Sequence, residues 1–422
     1  MKAKRTAIIS QAPGRCPRRA AKKAAAGPAR PEEWVRLKDL HHEPFRLFFP
    51  LATLAGIAGV ALWPLMLLGW TEVYPGPSHA RLMVQGFFGG FVLGFLGTAM
   101  PRLLDARPFS ASEAFAVLFL FVGNIAANAM NMTALSDSLF LTELIVLIGV
   151  LGRRYRARRD NPPPSFVLVG MGFMAAMAGT AIHLAGSRWE LSPPLEYLSR
   201  SLAYHGFVLL CILGAGGFLL PRFLGLGLRR KYPGGRETAP EWKRALLWAT
   251  AAGALVLLSY PLEVAGWPRT SGTIRALIIC GYLAYEMPLE KLRWSWRGVH
   301  WLLILGLASM PLGILAAGWL PSMRATLLHL ELVSGFALIT LGVATRVLFG
   351  HSGGRDKLER FSPWVTATTL LLLLGLASRI SGDFLPHIQT THYLYGAGCW
   401  ILGCIVWGAF ALPRVLRPDP EE

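Results

Sequence analysis

Residues 47–69 read LFFPLATLAGIAGVALWPLMLLG, a stretch without a single charge. An α-helix rises about 1.5 Å per residue, so about 20 such residues cross the hydrocarbon layer of a bilayer. Working outward from this stretch, eleven more of the same kind follow. They run over 82–100, 111–130, 135–151, 165–186, 199–220, 245–265, 272–287, 300–317, 325–350, 363–380 and 392–413. The fourth and eighth are short and are the weakest of the set. The fold class expected is all-α, a polytopic membrane protein of about twelve transmembrane helices.

Composition agrees. Of 422 residues 53% are hydrophobic and only 16% charged, where a soluble chain carries about 25% charged residues. Too few polar residues remain to cover a soluble surface, which excludes an ordinary cytosolic enzyme, a disordered chain and a secreted disulfide scaffold. The five cysteines, Cys16, Cys211, Cys280, Cys399 and Cys404, contain no C-x-x-C pair and read as small packing residues. Residues 1–45 form a basic tail without an early apolar core, so no cleaved signal peptide is expected. Residues 46–416 form the membrane domain, and 417–422 a short second tail.

The net charge of +18 suggests nucleic acid at first sight, but its placement favours the lipid bilayer as partner and no nucleic acid. With the N-terminus inside, 35 of the 42 basic residues fall in inside segments. Outside remain Arg81, Arg188, Arg200, Arg269, Arg275, Arg324 and Arg379. By the positive-inside rule this predicts an inner (cytoplasmic) membrane location with both termini cytoplasmic.

A weak internal repeat runs through the spans. The second ends in Met100-Pro101-Arg102-Leu103-Leu104, the sixth in Leu220-Pro221-Arg222-Phe223-Leu224, and the tenth in Ala344-Thr345-Arg346-Val347-Leu348. Each begins near a histidine, His79, His205 or His329, at spacings of 126 and 124 residues. Three four-helix units, 46–160, 161–297 and 298–416, around a pseudo-three-fold axis would produce this pattern. Histidine and Pro-Arg recur once more in the twelfth span, at His392 and Pro413-Arg414.

Six histidines map to the outer half: His79, His183, His205, His329, His387 and His392. Ionisable groups inside a membrane are costly and tend to line sites, and neutral imidazole ligates haem iron and transition metals. For His183 and His387 an interfacial hydrogen-bonding role competes with ligation; His329 lies well inside its span. His205 and His329 are each 17 residues from Arg222 and Arg346, which places them at equal depth and favours them as a facing pair. Asn124, Asn128 and Asn131, with Glu143, Glu263 and Glu286, are polar groups of the spans that belong either to helix packing or to a proton or water path. No G-x-x-x-x-G-K-[ST], H-E-x-x-H or G-x-S-x-G occurs, so nucleotide hydrolysis, zinc proteolysis and serine hydrolysis have no support.

Four patches carry a family resemblance. They are Pro44-Phe45-Arg46-Leu47-Phe48-Phe49; Ser78-His79-Ala80-Arg81-Leu82-Met83; Gly216-Gly217 with Leu220-Pro221; and His329 through Gly335 continuing to Thr345-Arg346-Val347-Leu348-Phe349-Gly350-His351-Ser352-Gly353. The chain resembles the NnrS family, most specifically in the last patch. The resemblance implies a bacterial inner-membrane protein of twelve helices that holds haem and copper and acts in nitric-oxide metabolism or stress, with a quinol or other electron donor as partner. Carried over, His79 and His329 are the haem or metal histidines, and Arg346, Gly350 and His351 belong to the motif. Added from the outer cluster, His205 is a further cofactor or metal candidate, with His392 and His183 as metal candidates. The family's H-A-H-E-M is His79-Ala80-Arg81-Leu82-Met83 here, which removes a histidine and an acidic residue. Phe218 stands where the family has an arginine. The three-by-four pattern is also analogous to haem–copper oxidase core subunits, although no histidine lies on the seventh span. Set against a haem protein of nitric-oxide redox chemistry are a twelve-helix secondary transporter and a non-catalytic haem-binding assembly factor.

Overall fold

The computed structural model describes residues 35, 37–230, 232 and 234–419. The basic tail and Cys16 therefore lie outside the described residues, apart from the few residues that lead into the first helix. Twelve long helices make up the fold: α1 (Phe45–Leu67), α2 (Gly76–Leu103), α3 (Ala111–Ala129), α4 (Thr133–Arg156), α5 (Pro164–Gly186), α6 (Pro193–Phe223), α7 (Pro240–Val264), α8 (Pro268–Glu286), α9 (His300–Trp319), α10 (Pro321–Gly350), α11 (Pro363–Phe384) and α12 (Pro386–Leu416). No strand occurs among the described residues.

Local chemistry explains the boundaries. Seven helices, α5 to α8 and α10 to α12, open on proline, whose missing N–H is an orphan of the first turn in any case. α3 opens with a capping box: Ser110 Oγ accepts from Glu113 N, and the Glu113 carboxylate accepts from Ser110 N. At Gly266, between α7 and α8, the chain turns at φ +91°, a conformation that favours glycine.

Eleven of the helices are long and apolar enough to cross a membrane. The fourth, short in the sequence, is a full 24 residues. The eighth falls short in apolar character because it carries Arg269 and Arg275, the latter buried beside Glu263. Leucines such as Leu247, Leu258, Leu277, Leu312, Leu370 and Leu374 point outward and are exposed along the flanks. Exposed Trp70, Trp189, Trp267 and Trp319 ring one end, and Trp294, Trp296 and Trp364 the other. That is the aromatic belt of a membrane protein.

Helix contacts repeat three times. In the first unit α2 packs on α1, α3 and α4, and α3 on α4; in the second α6 packs on α5, α7 and α8, and α7 on α8. In the third α10 packs on α9, α11 and α12, and α11 on α12. The units join through α4–α5 and α8–α9, and α12 closes the ring on α1. α2, α6 and α10 are the most buried spans, with α10 touching both of the others. Two six-helix halves, as a transporter of the two-fold kind has, are not what these contacts describe.

The three central helices share a local irregularity. Each widens into a π-helical segment close to its histidine: 82–88 in α2, 201–206 in α6 and 330–337 in α10. Such segments re-aim side chains and frequently mark functional sites. At their level Phe336 of α10 meets Phe88 of α2 at 6.1 Å and His205 of α6 at 6.0 Å between ring centroids.

Candidate functional site

Above these rings lies a cavity of about 1220 Å³ at the histidine end, larger than the roughly 300–1,000 Å³ of an ordinary small-molecule site. His79 of α2, His183 of α5, and His205 and His329 of α6 and α10 all line it. His387 and His392 do not. His392 Nδ1 lies 2.7 Å from Ser381 Oγ, between α11 and α12.

His79 and His329 are held in the same way. Each Nδ1–H donates to a main-chain carbonyl, that of Gly59 at 2.9 Å and that of Ala325 at 2.7 Å. With the proton fixed on Nδ1, Nε2 keeps its lone pair. No described protein group bonds either Nε2. A backbone-anchored imidazole with one free basic nitrogen is the usual form of a metal-ligating histidine.

His205 is held differently. Tyr260 O–H of α7 lies 2.5 Å from Nδ1, and Nε2 lies 2.8 Å from a Glu331 carboxylate oxygen of α10. In the neutral ring Tyr260 donates to Nδ1 and Nε2–H donates to Glu331, so both nitrogens are taken. The other Glu331 oxygen has no partner. Equal spacing suggested His205 as the facing partner of His329; Glu331, two residues along from His329, instead reaches His205. Close packing makes this possible: a Cβ on Gly313 of α9 would fall 2.5 Å from Glu331 N. His183 packs its ring against Tyr204, and its buried Nδ1 has no partner.

Three carboxylate–guanidinium clasps surround the cavity, one per unit. Arg81 binds Asp137 through two nitrogens, at 2.9 and 2.6 Å, and Gln85 donates to the same carboxylate at 2.9 Å. Glu263 takes Arg275 at 2.8 Å, Arg324 at 2.9 Å and the Tyr197 hydroxyl at 2.6 Å. Asp383 takes Arg379 at 2.5 Å, with Thr326, Tyr393 and Gln389 around it. Arg81, Arg324 and Arg379 line the cavity, as does Arg200. The arginines were visible in the sequence only as outside charges. Their carboxylate partners come from other helices or later turns.

The remaining motif residues lie at the opposite, basic end. His351 Nδ1–H donates to Glu43 at 2.6 Å. Glu43 also pairs with Arg46 at 2.5 Å and with Arg102 at 2.6 Å. Arg46 in turn donates to the carbonyls of Val415 and Arg417. The glycine-rich turn at Gly350 thus ties α10 to α1, α2 and the end of α12. Burial pushes the Glu43 carboxyl up, but the hydrogen bond and charge of His351, with Arg46 and Arg102, hold it below its ordinary value. Arg346 donates to the Phe223 carbonyl at the end of α6, at 3.3 Å.

Compared with known proteins, the chain matches the family model described as NnrS protein over residues 39–418. No curated protein matches it.

Proposed function

Since the chain belongs to the NnrS family, we propose that its cavity takes a haem, which His79 and His329 would hold, in a membrane protein of nitric-oxide metabolism or stress response. The observation that supports this best is the pair of imidazoles on α2 and α10, each with Nδ1 tied to the backbone and Nε2 left free in one cavity.

The other groups present fit a haem. Val60, Trp63, Val84, Phe88, Leu332 and Leu376 offer apolar wall for a macrocycle. Arg200, Arg324 and Arg379 line the cavity already paired with Glu196, Glu263 and Asp383, so a haem carboxylate would join these pairs at their remaining N–H groups. A bound haem would supply a redox-active iron with affinity for diatomic gases. The chain's own residues do the rest. The Gly59 and Ala325 carbonyls fix ring orientation and tautomer. The apolar wall admits nitric oxide, itself apolar enough to arrive through lipid. The His205–Glu331–Tyr260 group keeps exchangeable protons at the cavity wall. Copper is a different case. His205 has both nitrogens bonded and His392 lies outside the cavity wall, which leaves His183, with its buried and unpartnered Nδ1, as the cavity imidazole open to a second metal; one imidazole is not a copper donor set.

We place the histidine end on the periplasmic face of a bacterial inner membrane, because the basic residues gather at the other end. The deciding experiment is the optical spectrum of protein purified from haem-replete cells. A Soret band that shifts when nitric oxide is added is expected. Protein that carries no Soret band overturns the reading.

A further inference from the structure

Glu143 is a buried acid of the first unit that no ion pair answers among the described residues. It lies on α4, six residues below Asp137, and is wholly buried. Neither of its carboxyl oxygens has a hydrogen-bond partner. An isolated carboxylate at such a site costs several kcal/mol, so the side chain is held there as the neutral acid. Beside it on α3, Asn124 Nδ2 and Asn128 Oδ1 are buried and equally without partners. Asn124 is the side chain that faces Glu143, and buried unsatisfied groups of this kind are what a water needs for its two to four bonds.

From there a run of polar contacts leads to the cavity. Asn128 donates to Asn124 Oδ1 at 3.1 Å. Ser136 Oγ lies 2.7 Å from Asn124 Oδ1 and 3.1 Å from Gln85 Oε1. Gln85 donates to Asp137, which lines the cavity with Arg81. The Arg81–Asp137 pair stands at the cavity end of this run. α2 otherwise presents Gln85, and α3 the two asparagines. α5 and α6 meet α4 here through Phe173 and Phe207, packed with Phe140, and His183 is the titratable group of α5 that lines the cavity.

We propose that Glu143 is a proton-exchange site whose acid proton trades with cavity water through water lodged along Asn124, Asn128 and Ser136, the amides of Asn124 and Gln85 orienting that water and carrying no proton themselves. In the forward step the O–H bond of the Glu143 acid breaks, its electron pair stays on the carboxylate, and the proton passes along the water to the cavity wall. In the return step a proton from cavity water restores the acid. Nothing is oxidised or reduced. The two steps return the site to its starting state, so it holds one exchangeable proton in reserve beside the cavity; a use of that proton in the reduction of a nitrogen oxide rests on the proposed function, whereas the exchange itself does not.

The test is infrared difference spectroscopy on the purified full chain, perfused alternately with H2O and D2O buffer. A carbonyl band of a protonated carboxylic acid should shift down on exchange, disappear in Glu143→Gln, and persist at a new position in Glu143→Asp. Ser136→Ala should slow its exchange. The aspartate variant keeps the test readable if the glutamine variant fails to fold. A band that belongs to Glu143 but never exchanges, or no band lost in either variant, overturns the proposal. A missing Soret band in the same samples would sink the haem reading and leave this one standing.

Discussion

His79 and His329 differ from His205 in one respect that decides their chemistry, namely what occupies the second ring nitrogen. A carbonyl on Nδ1 leaves a ligand; Tyr260 and Glu331 on both sides leave none. Replacing His329 by Ala should therefore abolish or strongly shift the haem spectrum. His79→Ala should convert a six-coordinate spectrum to a five-coordinate one that still binds added imidazole. His205→Ala should leave haem content unchanged and slow the reaction with nitric oxide. Full haem occupancy with an unchanged spectrum in His329→Ala would put the site on another helix. Which histidines gather at one end was legible in the sequence, because depth in a membrane helix follows residue spacing. What each ring bonds was not. Tyr260 and Glu331 lie 55 and 126 residues from His205, and only the signal of a lone acidic residue at 331, inside an apolar span, hinted at a buried partner.

Among the helices, the three central ones carry the π-helical segments, and glycines let neighbours approach them. A Cβ on Gly313 would fall 2.5 Å from Glu331 N, and helix backbone cannot yield as a side-chain tip can. Overpacking of this kind costs about 1–3 kcal/mol. Gly313→Ala should lower the unfolding temperature of purified protein and weaken the Glu331–His205 contact. Gly170→Ala on α5, with nothing within 4 Å of its Cβ, should leave the temperature unchanged or raise it. Equal temperatures for the two variants would show that the α9–α10 contact is not tight. Twelve spans were readable from hydropathy, but the pre-span turns were not. α2 and α6 start six residues and α10 four residues earlier than their apolar cores, in proline-containing polar turns that hydropathy scores as loop. The eighth helix, one of the two weakest spans in the sequence, stays less apolar than the other eleven because it carries Arg269 and Arg275, and the pairing of Arg275 with Glu263 inside the protein is something composition cannot report.

For the molecule as a whole, orientation and ring closure are the properties to test. Reporter fusions after Arg158 and Glu237 should read cytoplasmic and those after Ser78 and Arg188 periplasmic; a periplasmic signal at Glu237 overturns the proposed placement. Closure of the α12–α1 seam rests at the basic end on Glu43, which joins His351, Arg102 and Arg46, while Arg46 holds the carbonyls after α12. The folded protein holds this carboxyl below its ordinary 4.5. A carboxyl lowered on folding stabilises fully above its unfolded value, and that contribution fades as pH falls through the lowered one. Acidification below about 4.5 should thus lower the wild-type unfolding temperature as the hub loses its charge. Glu43→Gln keeps the shape but leaves Arg46 without its counter-charge, while Arg102 keeps Asp419 at 3.6 Å. Breaking a buried pair on one side costs about 3–5 kcal/mol, so the variant should already be less stable at neutral pH, and its response to acid in this window should flatten. A variant that unfolds at the wild-type temperature and keeps the wild-type acid slope would show that the ring is closed by the apolar seam alone, through contacts such as Trp400 Nε1 on the Gly56 carbonyl.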